Sequence, residues 1–207
     1  MASDTRDRLV RTTGRLLRKQ GYGATGLNQV MAEARAPKGS MYFHFPGGKE
    51  ELAAAAVDHF AGRVMHRLER GVTEADTVAD AVATFFDEYI EHFERTDFAE
   101  GCAVATVALD AAVAHEALAA ATGRALRSWT DRFAAALEAE GHAPARAHGL
   151  ATLIIAAIEG TLVMGKGERS TEPFVAVREV LRDVLALQAE PGWNCGRSGR
   201  RPPTNSG

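Results

Sequence analysis

GLNQVMAEARAPKGSMYFHF, residues 26–45, is the stretch on which the reading of this chain turns. Leu27, Val30, Met31 and Ala34 recur at i, i+3, i+4 and i+7, one face of a short helix. Thr25 stands where a capping side chain is wanted. Arg35, Ala36 and Pro37 form a connection of the length found in a helix-turn-helix. Pro37 suits the first turn of the next helix, because its missing N–H has no partner to lose there. In that helix Met41 and Phe45 lie four apart and are expected to face inward as anchors.

Working outward, nearly everything reads as helix. Leu9, Thr13, Leu16 and Leu17 share a face upstream, with Arg8, Arg11, Arg15, Arg18 and Lys19 around them, and Gly21 is expected to end that helix. Gly47 and Gly48 break the chain before Lys49 opens a helix reaching about Gly71. Val78, Val82, Phe85, Phe86, Tyr89, Ile90 and Phe93 make a wide apolar stripe. A short Ala/Val-rich stretch runs from Cys102 to Ala114. Leu126, Trp129, Phe133 and Leu137 mark a helix stopping near Gly141. Two more follow, about 145–166 and 172–189, with Pro173 in the first turn of the last. The fold class expected is all-α: a helix-turn-helix head over 1–48 and a larger helical body over 49–189. Residues 190–207, rich in Gly, Pro, Ser and Arg, are expected to be a disordered tail.

Composition narrows the function. Apolar residues make up 46% of 207, enough for a core. No run approaches the roughly 18 continuous apolar residues of a membrane span, and the polar N-terminus lacks an apolar h-region, so no secretory signal is expected. Cys102 and Cys195 make no disulfide framework, which suits a reducing cytoplasm. HExxH, Cys-x-x-Cys, nucleophile-elbow and phosphate-loop patterns are all missing, so neither enzyme nor metal site is expected. His59 and His66 share a helix face but lack a third ligand with suitable spacing. The formal charge of −3 hides an asymmetry: residues 1–48 hold eight Lys/Arg against three Asp/Glu, whereas residues 49–189 hold thirteen against twenty-three. A basic end on an acidic body orients a protein toward polyanions.

These features predict a DNA reader. A helix-turn-helix places its second helix in the major groove, where the small Gly39 and Ser40 allow close approach and Ser40 can bond a base or phosphate. Lys38 offers charge to a phosphate or guanine. Tyr42 and His44 carry donors for phosphate oxygens, and Lys49 adds charge at a helix N-terminus. Thr25 is expected to cap its helix and touch a phosphate.

The run PKGSMYFHFPGGKEEL, residues 37–52, resembles the signature of the tetracycline-repressor (TetR) family, and the resemblance covers residues 5–60. The APKGS and FPGGKEEL segments, with GCAVATVALDAA at 101–112, resemble its LmrA/YxaF-like branch. Carried over by position, the resemblance implies DNA contacts at Thr25, Lys38, Gly39, Ser40, Tyr42, His44 and Lys49. It departs at Phe43, where relatives often have Tyr or His, so no polar contact carries over there. The resemblance further implies a homodimeric repressor, paired through its last two helices, that leaves a palindromic double-stranded operator when a small molecule binds. On this branch it implies control of efflux or detoxification genes and an apolar or aromatic effector.

Helical bundles build effector sites between helices. The bulky candidates are Phe85, Phe86, Tyr89, Phe93, Trp129, Phe133 and Met164, with Glu159 to orient a ligand's donor or cation. Apolar stripes at helical spacing are usually packing, so part of this group, rather than all of it, is expected to line a pocket. An activator, or a regulator without a ligand, fits the same sequence, since the sign depends on where the operator lies.

Overall fold

The apolar periodicities fold as helices throughout. The computed structural model describes residues 2–37 and 39–186, and its regular elements are nine helices. In chain order these are α1 (Ala2–Ala24), α2 (Leu27–Glu33), α3 (Ser40–His44), α4 (Gly48–Glu74), α5 (Val78–Arg95), α6 (Ala103–Asp110), α7 (Glu116–Ala139), α8 (Pro144–Glu168) and α9 (Glu172–Ala186). Lys38, Cys195 and the tail expected over 190–207 lie outside the described residues.

In the head, Leu9, Leu16 and Leu17 of α1 are buried with Val30, Met41 and Phe45. Burying each such side chain contributes about 1.5–3 kcal/mol, and this shared core fixes α2 and α3 on α1. Arg8 donates from Nε to the Ala34 carbonyl at 3.1 Å, closing the end of α2. The helical run of α1 is interrupted at Gly21, whose φ of 78° and ψ of 179° no helix contains.

Two local expectations need correction. Pro37 is not in the first turn of α3; its carbonyl accepts from the Ser40 N–H at 2.9 Å and the Ser40 hydroxyl at 2.7 Å, so α3 starts only at Ser40. The hydroxyl offers the backbone a turn in place of a helical turn. Thr25 does not cap α2 either. Gly26 holds that position, and the Thr25 hydroxyl donates back to the Gly21 carbonyl at 2.6 Å.

α4 carries the chain from head to body, where α4, α5, α7, α8 and α9 pack as a bundle. Thr77 caps α5, accepting from the Asp80 N–H at 3.1 Å. Phe86 and Phe93 of α5 meet Phe174 of α9, with ring centroids at 6.3 and 5.1 Å. A Cβ at Gly165 would lie 2.5 Å from the Phe174 ring, so that glycine sets how closely α8 and α9 approach. By length and composition α8 alone among the described helices is apolar enough to cross a membrane, at mean hydropathy 1.6. One of its faces is packed inside the bundle through Leu150, Ile154, Ile158 and Leu162. Its opposite face leaves Leu153, Val163 and Met164 exposed.

Candidate nucleic-acid interface and effector cavity

α3 is seated by its inward side chains. Met41 and Phe45 are 0% and 1% exposed, which turns Tyr42 (61%) and Phe43 (78%) to the surface. Gly39 is exposed; Ser40 and His44 are half-buried. The Phe43 and His44 rings meet edge to face at 5.0 Å. Because the Ser40 hydroxyl already donates to Pro37, the oxygen has only acceptor capacity to offer. It matches a base-edge N–H donor, not a phosphate. Thr25 is 2% exposed with its proton committed to Gly21, so its part is to shape the α1–α2 turn rather than to reach a phosphate. The sequence named Phe43 only as a departure from the resemblance, not as a contact. Its signal was an apolar residue where the resemblance leads one to expect a polar one.

Lys49 is turned inward. Its ammonium lies 4.2 Å from the Tyr22 ring centroid and 3.4 Å from the Gly23 carbonyl. Burial lowers its pKa, against a smaller pull from Asp110. The α4 N-terminus also has acceptors of its own. Glu51 takes the Gly47 N–H at 2.8 Å, and Glu50 lies 3.0 Å from His115 Nδ1. A phosphate arriving here therefore has to draw Lys49 off Tyr22.

The same corner joins head to body. Asp110, at the end of α6, accepts the Gly23 N–H at 2.8 Å. Its carboxylate lies 2.9 Å from where a Gly21 Cβ would be. His115, ahead of α7, packs edge to face on Tyr22 at 4.9 Å. Gly101 donates to the Arg18 carbonyl at 3.2 Å and accepts from Arg18 Nε at 2.8 Å. Lys166 of α8 reaches the Lys19 carbonyl at 3.2 Å. The turn that positions α2 and α3 is thus gripped by residues of the body.

Inside the bundle, Phe85, Tyr89, Trp129, Phe133 and Glu159 line one enclosed apolar cavity, narrowed to about 10 Å³. That is room for hardly one water. Phe86 and Phe93 are placed elsewhere, against Phe174 in the α5–α9 seam. Met164 is 49% exposed on the outside of α8 and does not line the cavity. On the other side of Glu159 lies a cleft of about 290 Å³ between α6 and α8, lined by Cys102, Thr106, Leu109, Asp110 and Val163 among others. Sequence reading missed this cleft, and no sequence signal marks it, because it forms only where α6 crosses α8.

Glu159 separates the two spaces. Its Oε2 is buried without a hydrogen-bond partner among the described residues. Burial pushes its carboxyl up to about 7, the Cys102 thiol beside it opposing weakly. Burial likewise pushes the Cys102 thiol well up, next to that carboxylate, so the thiol stays protonated. Trp129 spends its Nε1–H on the Ala61 carbonyl at 3.2 Å. The unpartnered carboxylate oxygen of Glu159 lines the cavity and is suited to a ligand's N–H, O–H or cation.

An exposed short helix seated on two others and carried by a larger helical bundle is a helix-turn-helix head on a helical body. The family model described as bacterial regulatory proteins, tetR family, matches residues 9–56. A second, described as transcriptional regulator LmrA/YxaF-like, C-terminal domain, matches residues 78–180. The chain is 35% identical to the helix-turn-helix-type transcriptional regulator YxaF of Bacillus subtilis over 85% of its length and 92% of YxaF. To the regulator LmrA of the same organism it is 31% identical over 88% of its length and 97% of LmrA. Among solved structures, a TetR transcriptional regulator from Chloroflexus aurantiacus superposes with a TM-score of 0.76 at 26% identity, over 90% of this chain and 96% of that one. The chain belongs to the TetR family, with an LmrA/YxaF-like body, and is a DNA-binding transcriptional regulator.

Proposed function

We propose that the protein is a cytoplasmic homodimeric repressor that grips a palindromic operator and lets go when an aromatic, hydrogen-bond-donating small molecule occupies the space around Glu159. One observation carries this reading: Asp110 lines the α6–α8 cleft and also holds the α1–α2 turn through Gly23. A ligand in the cleft touches the residue that positions the reading head. Pairing is supported by the exposed apolar stripe of Leu153, Val163 and Met164 on α8, continued by Val175 and Val180 on α9. Two-fold pairing sets two reading helices about one duplex turn apart, and a ligand that prefers one spacing shifts that equilibrium.

The test is operator affinity, measured by fluorescence anisotropy on DNA from upstream of the protein's own gene. The ligand is a flat aromatic amine or phenol selected by thermal shift. It is expected to weaken wild-type binding by about 5–150-fold, the usual range of allosteric coupling. Asp110→Ala should still bind the ligand and lose most of that factor. Equal affinity with and without a bound ligand removes the coupling.

On the DNA face we assign Phe43 to base contact and Tyr42 to phosphate. An exposed phenyl in the major groove has the thymine methyl as its natural partner. Phe43→Ala should flatten the preference for thymine at one position of each half-site by about 1 kcal/mol, roughly fivefold. Tyr42→Phe should weaken all sequences alike. Both residues are exposed, so neither change should move the unfolding temperature appreciably. Binding competition among single-base operator variants reads the difference; uniform loss from Phe43→Ala would reassign it.

A further inference from the structure

Away from the reading helix and the α6–α8 cleft, positive charge gathers against the trend of an acidic body. A surface cleft of about 290 Å³ between α1, α4 and α5 is lined by Arg18, Phe60, Arg63, Arg67, His92 and Arg95 among others. A second hollow of about 280 Å³ along the α1–α4 seam shares Arg18, Phe60 and Arg63, and adds Arg11, Arg15 and His59. Six guanidinium groups thus face three carboxylates, Glu88, Glu91 and Glu100. Arg67 pairs with Glu88, Arg18 with Glu100, and Arg15 with Glu33 on α2. None of the ion pairs among the described residues includes Arg11, Arg63 or Arg95.

Two histidines lie among these arginines. His92 has Arg18 on Nε2 and Arg95 at 3.1 Å from Nδ1. Burial first, and Arg18 next, hold its pKa down at about 4, against Glu100. His59 is lowered by burial, then by Arg63 and Arg11, against Asp7. Both rings are therefore neutral at pH 7 in a region short of negative charge. Between them the Arg18 guanidinium lies 5.3 Å from the Phe60 ring centroid, so the joined hollows share an aromatic wall.

We propose that these joined hollows bind a small polyanion bearing two phosphate-type groups, held by Arg11, Arg63 and Arg95 alongside Phe60. Guanidinium forks fit phosphate oxygens in pairs and cannot be discharged at neutral pH. Arg18, Phe60 and Arg63, shared by both hollows, join them into one seat for such a ligand. Arg63, which lines both hollows, lies fourteen residues beyond Lys49 on α4, about 21 Å along the helix. The joined hollows lie between α1 of the head and α4 and α5 of the body.

Inorganic pyrophosphate is the probe, titrated calorimetrically into the full-length protein at low ionic strength without divalent metal. Saturable binding is expected, weakened at least tenfold by Arg63→Ala. Arg127→Ala, which removes an equal charge from an exposed site on α7, should leave it within twofold. Arg63 is exposed, so the variant's unfolding temperature should match wild type. Absence of saturable heat, or equal loss from both variants, overturns the proposal. Duplex binding is measured in parallel: Arg63→Ala should keep the wild-type affinity and salt slope. If the slope falls by about one phosphate contact instead, these arginines grip the DNA backbone and the small-anion site is refuted.

Discussion

Gly21→Ala is expected to destabilise the protein by about 2–4 kcal/mol, lowering the unfolding temperature by roughly 5–12 °C for a chain of this size. Two costs add. The backbone at Gly21, with φ 78° and ψ 179°, sits in a region open essentially to glycine alone, where another residue costs about 1–3 kcal/mol. The new Cβ would also stand 2.9 Å from Asp110 Oδ2. That carboxylate is at the exposed end of a side chain and can swing away, but doing so breaks its bond to the Gly23 N–H. A charge-assisted bond of this kind contributes about 1.5–3 kcal/mol. Removing the carboxylate first separates the two costs. In an Asp110→Ala background, Gly21→Ala should cost only its backbone strain, so the double-mutant cycle shows a coupling of about 1 kcal/mol or more. Urea unfolding of the four proteins reads this directly. A neutral Gly21→Ala would mean that the turn does not have this shape in solution.

How far such features were legible depends on the distance over which they are written. The inward placement of Met41 and Phe45 and the break at Gly21 rest on neighbours within one or two helical turns, and the structure keeps them. The cap of α2 and the start of α3 were misplaced for a local reason, beside Thr25 and Ser40. A hydroxyl beside a helix start can bond backward as readily as forward, and here both do. The lining of the interior cavity was half legible. Phe85 and Tyr89 lie one turn apart on α5 and reach it, while Phe86 and Phe93 point toward Phe174, more than eighty residues further on. Periodicity gives an apolar face but not which neighbour covers it. Met164 shows the same limit from outside, since an apolar residue left on the surface has the same spacing as a buried one. The grip of Asp110 on Gly23 spans 87 residues and has no sequence signature.

Glu159→Gln should make the protein more stable at pH 8 while changing the pH 4 value only by a fixed offset. The Glu159 carboxyl is raised by burial from an ordinary 4.5 to about 7. Between those values the unfolded chain releases the proton and the folded chain keeps it, so stability falls as pH rises. The loss is about 1.4 kcal/mol per unit, roughly 3 kcal/mol in all, and is complete above pH 7. Glutamine does not titrate. Its burial carries a cost that is the same at every pH, so the wild-type-minus-variant difference should shift by roughly 3 kcal/mol between pH 4 and pH 8. Urea unfolding at the two values measures it; a difference independent of pH would mean that Glu159 is hydrated and ionised in the folded state. The penalty also bears on function. A ligand that donates to Oε2 supplies the partner which the free protein denies that oxygen. Binding then favours the carboxylate, releases a proton near neutral pH, and offsets the instability of the empty site. The same substitution should therefore weaken a donor-bearing aromatic ligand most at pH 8 and least below pH 6. A purely apolar pocket would show no such slope.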